Sequence, residues 1–180
     1  MNILLATAAV LAIAMPASAA QVDDPAAVAI GKPQELIIDS SLSQASVEAI
    51  LRPVDAFYGF WNNGSQTLLD AAISPQFVDR TLPDGRPQGP AGPAAASKAF
   101  LAAVPDLKVE VVQRLVVQDR VVSHLHFTGH FTGVFMGTSG TGQPIDFIAT
   151  DIVRVVDGRI TDNWHLEDNQ KFMQQIGLAQ

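Results

Sequence analysis

The sequence predicts an α+β domain in which an antiparallel sheet packs against helices. Two observations carry that class. Apolar residues recur at three- and four-residue steps up to Pro105-Asp106 and alternate with polar ones after it, which is the change from helical to strand period. The alternating runs are also separated by short turn segments of the kind that joins hairpins. A third observation, the absence of cysteine, means that packing rather than disulfides must hold the fold.

The chain has 180 residues. Residues 1–19 carry an apolar run from Ile3 to Met15, then Pro16 and the small residues Ala17-Ser18-Ala19, the pattern of a cleaved signal peptide. The run is short for a bilayer span, so no stable membrane insertion is expected after cleavage, and the mature protein is expected to be periplasmic or secreted. The remaining residues, about 160, suffice for one domain that buries roughly two-thirds of its unfolded surface. A net charge of -7 without a Lys/Arg cluster argues against nucleic acid and anionic membranes as partners.

Residues 20–42 mix acids, Pro25, Pro33 and the short patch "ELIID" without a clear period, and are expected to be a linker or loosely packed arm. The domain proper is expected over 43–180. Val47, Ile50, Leu51, Val54, Phe57, Tyr58 and Trp61 form one helical stripe, stopped by Asn62-Asn63-Gly64. Pro53 should kink this helix or mark its true start. A second short helix, "TLLDAAI", ends at Ser74-Pro75, and the breaker-rich "PDGRPQGPAGP" leads to a third at about 94–104. "LKVEVVQRLVVQ", "RVVSHLHFTGHFTGVF", "IDFIATDIVRVV" and "RITDNWHL" then read as four strands, with Gln118-Asp119, "GTSGTGQP" and Asp157-Gly158 between them. A last helical turn or two is expected in "NQKFMQQIGLAQ".

Three of the four histidines, His124, His126 and His130, fall on one face of the second strand, opposite Leu125, Phe127 and Phe131. Strand residues two apart are about 7 Å apart along one face, a spacing that two ligands of one metal tolerate. His130 is too far along a straight strand to join the other two. Three readings stay open: a metal site completed from a neighbouring strand, ordinary half-wet strand residues, and polar groups lining a ligand pocket. Phe57, Trp61, Phe77 and Phe100 are read either as core or as the apolar wall of such a pocket.

Taken in order, "AFYGFWNNG", "SPQFVDR", "AVPDLKVEV", "HFTGHFTGVFMG", "TGQPIDF" and "VRVVDGRITDNWHLEDNQKFMQQIG" resemble the SnoaL-like polyketide cyclases and ester cyclases of the nuclear-transport-factor-2-like superfamily. The resemblance implies a curved antiparallel sheet that forms a cone with three N-terminal helices around an apolar pocket. It also implies a homodimer, a small apolar partner molecule and no cofactor. Aligned through "VVDGRI", the family's catalytic aspartate falls on His165 and its histidine partner on Asp151, so the two residue types are exchanged. Either order sets a carboxylate beside an imidazole, a pair suited to proton transfer near neutral pH.

The expected site therefore has His165 and Asp151 as catalytic residues and His124, His126, His130, Phe57 and Trp61 as substrate-binding residues, with no metal. The expected function is that of an exported, cofactor-independent acid/base enzyme on a small apolar carbonyl compound; a non-catalytic periplasmic binding module is the alternative. Whether Asp151 and His165 share a face depends on their hairpin. A two-residue Asp157-Gly158 turn leaves Asp151 opposite Trp164, whereas a three-residue turn with Gly158 in a bulge brings Asp151 and His165 to one face.

Overall fold

The computed structural model describes residues 21–179, and the signal-peptide reading of 1–19 lies outside the described residues. The chain begins with α1 (Asp24–Ile30) and β1 (Pro33–Ile38), followed by α2 (Gln44–Asn63), α3 (Gln66–Ala72), β2 (Ile73–Asp79) and α4 (Ala91–Ala103). The meander follows as β3 (Lys108–Val117), β4 (Arg120–Phe131), β7 (Gln143–Val156) and β8 (Arg159–Glu167). A small hairpin, β5 (Val134–Phe135) and β6 (Thr138–Ser139), interrupts it, and α5 (Asn169–Gln175) ends it. No helix among the described residues is long and apolar enough to cross a membrane.

The predicted α+β class with a curved open sheet holds. Six strands lie in the order β1-β3-β4-β7-β8-β2. The four central strands pair antiparallel, while β1 and β2 join the two edges in parallel. The predicted stripe of α2 is the helix face that fills the curve, with Ile50, Val54, Phe57 and Tyr58 buried, and Phe60, outside that stripe, is buried beside it. Ser43 caps its first turn and Gly64, at φ 70°, closes it in the left-handed conformation that glycine adopts without a Cβ clash. The helix runs through Pro53 and starts nine residues before it, so Pro53 does not mark its beginning.

The segment read as a linker or loose arm is corrected by the structure. It forms α1 and then β1, whose Glu35, Ile37 and Ile38 align with Gln113, Leu115 and Val116 of β3. Buried Arg114 ties the segment down by donating to the carbonyl of Gly31 at 3.2 Å. An edge strand exposed along nearly its whole length needs no alternation, which is why "PQELII" shows none.

Parity along two strands is reset by bulges. Between β7 and β8 the turn is the two-residue one: Val156 pairs with Arg159, and Asp157 and Gly158 both have positive φ, 50° and 71°, as a type I′ turn requires. Val155 then pairs with Ile160 but Arg154 with Asp162, so Thr161 is an extra residue on β8. Ile160 and Asn163 are both buried across this odd spacing, and Asp151 ends directly opposite His165. The three-residue turn is therefore absent, and its consequence is reached by a bulge one step further along. In β3, Val112 is bulged in the same way between Val111↔Leu125 and Gln113↔His124, which turns Arg114 inward.

Candidate active site

The bulges align one polar row across the inner face of the sheet: Arg114, Ser123, Asp151 and His165 are successive cross-strand partners on β3, β4, β7 and β8. Apolar rows flank it. The row ends at a cavity whose empty space, counted with the solvent in its open mouth, comes to about 570 Å³. Phe57 and Trp61 of α2, Phe77 of β2, Phe100 of α4 and Leu125, Phe127 and Phe147 of the sheet form its apolar wall. Asp79, Asp151, Asn163, His165 and Glu167 form its polar end, and Arg86 of the loop between β2 and α4 reaches it too.

His165 is held between two carboxylates. Its Nδ1 lies 2.7 Å from Glu167 Oε1, and its Nε2 lies 3.0 and 3.1 Å from the two oxygens of Asp79. The backbone N–H of His165 donates to Thr81 Oγ1 at 2.9 Å. Asp79 is itself fixed by the loop: Gln88 accepts from its N–H and donates to its carbonyl, at 2.7 and 2.9 Å. Burial works against a charged ring, but the hydrogen bonds and charges of Glu167 and Asp79 outweigh it and raise the pKa of His165 from 6.5 to about 9. Near neutral pH the ring is an imidazolium.

Asp151 is the buried member. Tyr58, fully enclosed in α2, donates its hydroxyl to Asp151 Oδ2 at 3.3 Å and carries the Arg114 guanidinium over its ring at 5.2 Å. Arg114 in turn donates to Asp55 at 2.7 Å. Burial pushes the Asp151 carboxyl up to about 7; the His165 imidazolium pulls it down, the charge of Glu167 pushes it further up, and the Tyr58 hydrogen bond lowers it. The site thus holds a carboxyl that titrates near neutrality opposite a cation that persists above it.

The structure brings Asp151, His165, Phe57 and Trp61 together around this cavity. It does not bring His124, His126 or His130 there. Leu125 and Phe127, which alternate with them, occupy the cavity side, because an apolar row is the one that gains by covering α2 and α4. The three histidines lie on the opposite face and bond outward: His124 to Thr150 at 3.2 Å, His126 to Asp146 at 3.0 Å and His130 to Asp106 at 2.7 Å. Their assignment as substrate-binding residues is therefore corrected. No group of three or more His, Asp or Glu among the described residues is arranged to hold a metal ion.

The carboxylates hydrogen-bonded to the His165 ring are Asp79 and Glu167, while the expected partner Asp151 faces it from the next strand. Glu167 was within reach of the period-two rule applied outward from His165. Asp79 and Tyr58 carried no such signal, since a parallel edge strand and a helix bring them in from 86 and 93 residues away from His165 and Asp151 respectively.

Comparison with known proteins gives a consistent picture. A family model for SnoaL-like polyketide cyclase matches residues 52–176. The chain is similar to a candidate polyketide cyclase from Bacillus cereus ATCC 10987 at 40% identity and a TM-score of 0.76, over 83% of this chain and 95% of that one. It is also similar to IdmH, a candidate polyketide cyclase from Streptomyces antibioticus, at 26% identity and a TM-score of 0.62, over 69% and 96% of the two chains. A protein of ketosteroid isomerase-like fold from Catenulispora acidiphila, 16% identical with a TM-score of 0.55 over 71% and 93%, shares the fold alone. No match was found among curated proteins.

Proposed function

The chain belongs to the SnoaL-like polyketide cyclase family, and on that premise we propose that it is a cofactor-independent acid/base enzyme acting on a carbon acid, a small and largely apolar carbonyl compound. The observation that carries the proposal is the direct opposition of Asp151 and His165 across two strands at the polar end of an apolar cavity.

Asp151 serves as the base. Its carboxylate, available as pH passes about 7, takes a proton from the carbon next to the substrate carbonyl. The His165 imidazolium shares its Nε2–H with the carbonyl oxygen as that oxygen gains negative charge, so the enolate forms beside a fixed cation. Asp79 and Glu167 hold the ring and keep it charged. The enolate then closes on a second carbonyl of the same molecule, whose oxygen takes the proton from Asp151 as the carbon–carbon bond forms, which is a cyclisation; with a double bond beside the α-carbon, the dienolate takes that proton at its far carbon, which is an isomerisation. Asp151 ends in its starting state in both cases.

The test is hydrogen–deuterium exchange at the α-carbon of an aromatic methyl ketone in D2O, followed by proton NMR. The wild-type protein should accelerate exchange, and Asp151→Asn should reduce that acceleration by about a hundredfold or more, within the usual range for a general base. The rate should rise through about 7 and fall as pH passes about 9, the two limbs belonging to the coupled pair. A wild-type protein that binds such ketones without accelerating exchange refutes the proposal. It would favour the second reading, a non-catalytic binding module, to which one observation points: both ring nitrogens of His165 already have carboxylate partners.

Export and a homodimer belong to the same proposal. The outer sheet face exposes Ile37, Ile148, Ile152 and Leu166, an apolar surface suited to a second copy. The N-terminal mass of the exported protein and its sedimentation velocity test the two parts.

A further inference from the structure

One polar side chain at the cavity is left without a side-chain hydrogen bond among the described residues. Asn163 stands two residues before His165 on β8, so the two side chains share the inner face, and it is 6% exposed. Its backbone is engaged, since its carbonyl accepts from the N–H of Arg80 at 2.8 Å. The residue lines the cavity, and its side-chain oxygen is buried and accepts no hydrogen bond among the described residues. Asn62, another buried asparagine, shows what a structural amide does here. It accepts from the N–H of Val109 at 2.8 Å and donates to the carbonyls of Val109 and Tyr58 at 3.0 and 3.1 Å.

A buried amide acceptor without a partner is costly unless something else supplies the donor. At this end of the cavity Asp79 and Glu167 take both ring nitrogens of His165, Asp151 faces His165 from the next strand, and the Arg86 guanidinium makes no hydrogen bond to Asn163, which is left short of a donor. A substrate hydroxyl supplies one, and its oxygen can accept from the amide nitrogen of the same side chain. We infer that Asn163 recognises a hydroxyl group on the substrate, which narrows the substrate class from apolar carbonyl compounds to hydroxylated ones. This inference rests on the reading of the cavity as a carbonyl-binding site. It makes Asn163 a specificity-determining residue, because a site built around a hydroxyl rejects the analogue that lacks it more strongly than an apolar site rejects a missing methylene.

The experiment uses naphthyl methyl ketones carrying one hydroxyl at each ring position in turn, against the unsubstituted ketone, with binding to the purified protein measured by calorimetry. At least one isomer should bind about tenfold tighter than the unsubstituted ketone, the effect of one satisfied hydrogen bond. In Asn163→Leu that advantage should vanish while the unsubstituted ketone still binds. Asn163→Asp, which keeps an acceptor, should retain it, and thermal melts show that both variants are folded. No preferred isomer, or a preference that survives in Asn163→Leu, overturns the inference. If ketones bind without hydroxyl preference and their α-proton exchange is still accelerated, the inference fails and the acid/base reading stands. If no ketone binds, both fail.

Discussion

Replacing Asp151 by asparagine should stabilise the protein, and increasingly so as pH rises. In the native state burial pushes this carboxyl up to about 7 from an ordinary 3.8. Between those values the folded protein holds the proton more tightly than the unfolded chain does, so stability falls as pH rises through that window. At ~1.4 kcal/mol per tenfold change in proton affinity, the wild type carries a handicap of about 4 kcal/mol once pH is well above 7. Roughly 1.5 kcal/mol of it is already present at pH 5. Asparagine has nearly the same shape, accepts the Tyr58 hydroxyl equally well and carries no charge at any pH. The difference between Asp151→Asn and wild type should therefore grow by about 2–3 kcal/mol between pH 5 and pH 8.5. Comparing two pH values cancels any packing cost of the new amide. Urea denaturation curves of both proteins, fitted with a common slope, give the difference directly. A difference that stays constant with pH, or shrinks, would show that Asp151 ionises like an ordinary aspartate and remove the base from the proposed chemistry.

Two further perturbations address the other half of the pair. Glu167→Gln removes the leading partner that lifts His165 to about 9, so its imidazole titration by NMR should move down toward 6.5 by a pH unit or more; an unmoved midpoint sinks the account of how the ring is kept charged. Deleting Thr161 removes the extra residue of β8 without changing any pair, since Val155 still meets Ile160 and Arg154 still meets Asp162, so His165 should stay opposite Asp151 and Trp164 on the outer face. Tryptophan emission should keep its wavelength and α-proton exchange should persist, and a folded deletion variant in which exchange is lost and Trp164 becomes buried would contradict the register argument.

The elements with one wet and one dry side were legible in the sequence: the stripe of α2 and the alternation in β4 and β7 match burial along those elements, and in β3 and β8 alternation holds only on each side of a bulge. Elements without that contrast were not. β1 is exposed at five of its six residues, and β2 carries Pro75 in its middle, a residue found in sheets mainly at edges. Alternation also tells which residues share a face, but the side that faces the helices is decided by the apolar row, here Leu125 and Phe127 rather than the histidines. The bulge at Thr161 has no composition signal of its own, so neither hairpin open to the sequence was complete: the two-residue turn has the right loop and the wrong face for His165, the three-residue turn the right face and the wrong loop. Tyr58 was visible as a member of the helical stripe, but nothing local marks it as the donor to a carboxyl on β7.

The order of strands in the sheet also sets an order of events for the chain. β3, β4, β7 and β8 pair with their neighbours in sequence, so this meander is the part of the sheet with the shortest loops to close. β1 and β2 pair only with β3 and β8, after long stretches of intervening chain. A polypeptide emerging amino end first therefore releases both edge strands before the centre on which they dock exists. β2 waits for β8, nearly the last element to appear, and Asp79 reaches His165 only when that docking is complete. The site is then the final product of folding rather than its seed. Mutations that loosen the β2 edge should leave a sheet that has formed and a histidine that has not yet found its carboxylate.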